Sequence, residues 1–97
     1  SLDKNRIEGS GLIHLKGLTS LDWLDLTFTQ VDDVGLSHLK NLEKLEVLKL
    51  FGTRVTDAGL VHLKALNKLS LVEVPKPAVT EAGIAQLQSS LPDCTIR

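Results

Sequence analysis

Apolar and polar positions recur along this chain as one phrase repeated at a fixed interval. Val55-Thr56-Asp57-Ala58-Gly59-Leu60-Val61-His62-Leu63-Lys64 restates Val31-Asp32-Asp33-Val34-Gly35-Leu36-Ser37-His38-Leu39-Lys40, and Val79 to Gln88 is a further copy. An earlier stretch, Ile7 to Lys16, carries the same signs, so that glycines fall at 11, 35, 59 and 83, a constant step of 24. A period of this length marks a solenoid, in which each unit adds one layer to a shared core. Within a unit, Leu24 and Leu26 stand two apart, as on a strand, whereas Leu36, Leu39 and Leu42 recur every third residue, as on a helical stripe. Each unit therefore reads strand, turn, helix.

The first complete unit predicts a strand over Trp23 to Thr27, with Leu24 and Leu26 inward and Trp23, Asp25 and Thr27 outward. Asp32, Thr56 and Thr80 stand where an N-cap oxygen can accept orphan helix amides. Asp33, Asp57 and Glu81 follow and place negative charge at each helix start. The repeated glycines are expected to let neighbouring layers approach closely. The chain divides into a partial repeat 1–17, repeats 18–41, 42–65 and 66–90, and a closing segment 91–97. In the third repeat Pro75 and Pro77 flank Lys76; proline has no amide donor, so a different turn is expected there.

Aligned on the glycines, Leu21, Leu24, Leu26, Thr29 and Val31 match Leu45, Leu48, Leu50, Thr53 and Val55, then Leu69, Val72, Val74, Pro77 and Val79. This pattern resembles the leucine-rich repeat, and the V-T-D-A-G-L-x-x-L half is similar to its cysteine-containing subfamily and to short bacterial repeats. The resemblance implies an α/β fold: a short right-handed solenoid with a small parallel sheet on the concave side and helices on the convex side. It also implies a non-enzymatic module that binds protein or peptide. Leu2, Asn5 and Ile7 align with Leu26, Thr29 and Val31, so the chain is expected to begin after or within a strand and continue as a helix over 9–17. With no capping segment before it, more repeats are expected upstream. Leu91-Pro92-Asp93-Cys94-Thr95-Ile96 resembles the closing segment of short bacterial arrays, with Ile96 filling the last inward position.

Composition narrows the partners more than the fold. The apolar fraction is 42%, dominated by leucine, with one Trp, two Phe and no Tyr, which suits identical packing layers. A net charge of −1 argues against nucleic acid or an anionic membrane as the main partner. No apolar run approaches the roughly 18 residues of a membrane span. The single cysteine excludes an internal disulfide framework and leaves the compartment open, and the absence of methionine suggests a processed chain or an excised domain.

Catalytic and metal constellations are weak. His14, His38 and His62 share one phase of the repeat, but neighbouring helices lie about 10 Å apart, too far for two ligands each ~2 Å from one zinc. Cys94 has no matching histidine and acid, and no phosphate-cradling glycine loop is present. No cofactor is implied.

The outward strand positions are more informative. Trp23, Val47 and Leu71 form one row across the sheet, Asp25, Lys49, Glu73 and Arg97 a second of alternating charge, and Thr27, Phe51 and Pro75 a third. The charge row suggests cross-strand support. Large apolar side chains on an uncovered sheet often mark a binding site, so Trp23, Val47, Phe51 and Leu71 are candidate anchors, with Asp25, Lys49 and Glu73 setting charge complementarity. Phe28 extends this patch or caps its edge. The same surface would also serve a subunit contact, including a homo-oligomer formed at the uncapped N-terminal edge, or a structural capping fragment packed on its parent domain.

Overall fold

The computed structural model describes residues 4–6 and 19–97. Five short strands form one parallel sheet in chain order: β1 Lys4–Arg6, β2 Trp23–Asp25, β3 Val47–Lys49, β4 Leu71–Glu73 and β5 Thr95–Ile96. Between strands the chain turns into helical segments: α1 Asp33–Leu36 with a 3-10 turn Ser37–Leu39, a 3-10 segment Asp57–Leu63, and α2 Glu81–Ser90. These segments pack on one another in sequence, α1 on Asp57–Leu63 and that on α2. The fold is a small α/β repeat array.

The repeat step is written into the sheet register. Trp23 faces Val47 and Val47 faces Leu71, each 24 residues on, and the central residue of each of these strands is buried between two half-buried ones. Leu24, Leu48 and Val72 are thus stacked inward, and Ile96 faces Val72 and packs against the same core, as expected. The ladder runs past the strand ends, with Leu26 N donating to Lys49 O at 2.9 Å and Phe28 N to Phe51 O at 2.9 Å.

Strand β1 departs from that rule. Lys4 faces Trp23, only 19 residues on, where a 24-residue step would have placed the first strand at or before Leu2. A parallel ladder is made by backbone groups, so the free edge of β2 does not itself demand the repeat register of the strand beside it. Leu2, Ile7, Gly11, His14 and the helix expected over 9–17 lie outside the described residues.

The leucine spacing selects the type of helical turn. Leu36, Leu39, Leu42 and Leu45 are all buried at three-residue steps, as are Leu60, Leu63, Leu66 and Leu69. A 3-10 helix has three residues per turn, so it keeps such a row on one face, whereas an α-helix would rotate it away. The backbone follows: Leu42 N donates to Leu39 O, Leu45 N to Leu42 O, Leu66 N to Leu63 O and Leu69 N to Leu66 O, at 3.0 to 3.1 Å. In the third repeat the buried positions fall at Leu87 and Leu91, four apart, and α2 is a ten-residue α-helix with Leu91 N on Leu87 O at 2.9 Å.

The turns also divide as expected. Thr29 and Thr53 are buried, and each hydroxyl donates to the carbonyl three residues back, Leu26 O at 2.8 Å and Leu50 O at 2.7 Å. Pro77 can make no such bond; the third turn instead contains a cis Lys76–Pro77 peptide and closes through Val79 N on Pro75 O at 2.9 Å.

Candidate interaction surface

All three expected N-caps are formed: Asp32 Oδ1 accepts from Gly35 N at 2.9 Å, Thr56 Oγ1 from Ala58 N and Thr80 Oγ1 from Gly83 N, both at 3.3 Å. The acidic residue after each cap does more than meet a helix dipole. Asp33 reaches into the next repeat and accepts from Thr56 N at 2.7 Å and Thr56 Oγ1 at 2.6 Å. Asp57 does the same with Thr80, at 2.8 and 2.6 Å. The Thr80 hydroxyl, and then its amide, hold the Asp57 carboxyl below the ordinary aspartate range. A β-carbon on Gly59 would strike Asp33, and one on Gly83 would strike Asp57. The recurring glycine therefore makes room for the clamp between layers, the close approach anticipated from the sequence.

The outward sheet positions come together in the rows expected. Trp23, Val47 and Leu71 are aligned across β2, β3 and β4, as are Asp25, Lys49 and Glu73. Their exposure is uneven. Trp23, Val47 and Leu71 are half-buried, while Phe51 is 53% and Phe28 69% exposed. The first row is half-covered, and the more open apolar side chains beside it, Phe28 and Phe51, lie just past the strand ends. Pro75, third in the Thr27 and Phe51 row, is buried, which ends the open apolar edge.

The charge row does not run as a continuous ladder. Arg97 Nη2 pairs with Glu73 Oε2 at 3.3 Å, and Asp25 Oδ1 accepts from Thr27 N at 2.9 Å. Lys49, between them, has no carboxylate within ion-pair distance among the described residues; its Nζ lies 5.3 Å from the centre of the Trp23 ring. An aromatic face attracts a cation and takes the place of the predicted cross-strand pair.

Phe28 and Phe51 meet edge to face, with ring centroids 5.6 Å apart at 78°. Phe28 takes a positive φ of 60°, and Gly52, its equivalent one repeat later, one of 75°. Glycine adopts that conformation freely, whereas a side chain there costs about 1–2 kcal/mol. The Phe28 ring lies over Gly52, where any β-carbon would collide with it. Sequence reasoning placed Phe28 at the edge of the patch but missed its partner; the signal was Gly52 at the equivalent position. Below the pair, Asp25, Thr27, Lys49, Phe51, Glu73, Val74 and Arg97 line an open groove of about 420 Å³.

The remaining candidates are scattered. His38 and His62 are half-buried in separate layers, and among the described residues no group of three His, Cys, Asp or Glu could hold a metal ion. Cys94 is buried beneath the C-terminal turn, where burial pushes its thiol up and away from the reactive thiolate. Among the described residues no helix is long and apolar enough to cross a membrane.

Residues 17–40 and 41–64 each match the family described as Leucine Rich repeat. Two consecutive 24-residue matches, on an α/β repeat fold with a parallel sheet, support a place in a leucine-rich repeat family. Domains of this kind generally mediate protein–protein interaction and are typically non-enzymatic. No curated protein matches the chain at a significant level.

Proposed function

We propose that this leucine-rich repeat chain is a non-enzymatic protein-interaction module that binds a partner through the outward face of its sheet, the concave side of the array. Trp23, Val47, Leu71 and Phe51 act as apolar anchors, and Asp25, Lys49 and Glu73 set charge complementarity. The observation that carries this reading is the open groove beside the exposed Phe51, on a sheet whose outward rows are held in register by the repeat. Rigid strands fix the anchor positions before a partner arrives, so little ordering cost falls on binding. The 24-residue repeats, the N-terminal partial unit and the closing segment together form one binding domain.

The test is a selection of short random peptides, displayed on phage, against the full chain. Enriched peptides should lose about tenfold or more in affinity for a Trp23→Ala, Phe51→Ala double variant, whose fold is checked by circular dichroism. Peptides that bind this variant as well as the parent chain would place the binding surface elsewhere. Self-association, the second use of an exposed apolar edge, would appear as a dimer in light scattering.

A further inference from the structure

We propose that the groove accepts an extended segment of a partner protein that pairs an apolar side chain, seated on the Phe28–Phe51 rings, with a carboxylate one or two residues away that meets Lys49. The proposal rests on the sheet-face reading above and names the chemistry of its ligand. Three observations converge on it.

The first is the state of the charges. Each carboxylate of the row already has a donor, Asp25 from Thr27 N and Glu73 from Arg97, which offsets part of its charge. Lys49 lines the same groove and, among the described residues, forms no ion pair; its Nζ lies by the Trp23 ring. A carboxylate can approach Nζ from the groove while the Trp23 ring stays on its other side, and the cation–π contact then orients the lysine for it. The ligand carboxylate must reach Lys49 between Asp25 and Glu73, so it is a single acid and not an acidic run that the groove suits.

The second is the aromatic pair. Phe28 is held at a backbone conformation that disfavours a side chain, yet its ring is largely exposed and contributes little to the core. Its contacts are with Phe51 and Gly52 at the surface, and strain kept at such a place directs attention to binding. Its T-shaped contact with Phe51 leaves both rings open to an aliphatic or aromatic side chain.

The third is spacing. Lys49 and Phe51 stand two residues apart at the end of β3, about 6–7 Å along an extended chain. An extended ligand spans that distance in one to two residues. The two features of the ligand must therefore be near neighbours in its sequence.

The same peptide selection tests this directly. Enriched sequences should carry Asp or Glu within two positions of Leu, Ile or Phe. Replacing that acid by its amide should weaken binding by about fivefold, the upper range for an exposed ion pair, and Lys49→Gln should remove the difference between the two peptides. Phe28→Gly suits the backbone at that position, so it should keep the fold while weakening the same peptides. Phe51-dependent binders with no acid preference, or an acid preference that survives Lys49→Gln, would overturn this inference and leave the sheet-face reading standing. A library with no Phe51-dependent binder would overturn both. A dimer that Phe51→Ala dissociates would make a second copy of the chain the occupant, and would overturn the peptide assignment.

Discussion

The second and third repeats share a sheet register, a threonine N-cap and a clamped helix start, but differ in their turns and helices. The second carries leucines every third residue, a buried Thr53 turn and a 3-10 segment; the third carries a four-residue step from Leu87 to Leu91, a proline turn and an α-helix. Their strands nevertheless pair residue for residue, Val47 on Leu71 and Lys49 on Glu73. The sheet thus sets the layer spacing, and the helical side adapts to whatever stripe the sequence supplies. The third repeat compensates with a device of its own: Gln88 Nε2 donates to Leu91 O at 2.9 Å and to Cys94 O at 2.7 Å, holding the closing turn.

The largest effect should come from breaking the three-residue stripe. Leu63 is fully buried, and Leu63→Ala should cost about 2–5 kcal/mol, read from urea denaturation. Next, Gly59→Ala should cost about 1–3 kcal/mol, because its β-carbon would press on the Asp33 backbone, 3.1 Å from Cα, as well as on the carboxylate. Gly83→Ala should be milder: its nearest obstacles are atoms of the Asp57 side chain, and alanine in the ten-residue α2 gains about 1 kcal/mol of helix propensity. A Gly83→Ala loss equal to that of Gly59→Ala would mean that the carboxylates, not the backbone, set the layer spacing.

Smaller effects sharpen the turn and clamp comparisons. Thr53→Val keeps the shape of a buried side chain but removes its bond to Leu50 O, and should cost about 1 kcal/mol in the same denaturation measurement. The Asp57 clamp should appear in the pH dependence of stability. Its folded carboxyl titrates below the unfolded one, so the stabilisation is fully present above the unfolded aspartate value of about 3.9 and is lost as pH falls through the lower folded value. Asp57→Asn should flatten that acid limb. An unchanged limb would assign the acid sensitivity to other carboxylates.

Much of this protein was legible one residue at a time. The 24-residue period, the inward leucines, the N-caps at Asp32, Thr56 and Thr80, the odd turn at Pro77 and the cross-sheet rows all follow from local pattern, because stacking identical units turns sequence phase into spatial position. What the pattern left undecided depends on neighbours from different repeats. Asp33 could equally have faced solvent; only the approach of the next layer brings Thr56 to it. Lys49 had carboxylates in phase on both sides, yet it lies over Trp23, since side-chain reach and ring placement decide among partners that one-dimensional spacing leaves equal. Phe28 looked like an edge residue until the backbone turned to positive φ and set its ring over Gly52. Strand β1 took a register the repeat did not foretell, because a backbone ladder carries no side-chain code. From β2 onward, periodicity determined where each residue sits, and tertiary contact decided what it touches.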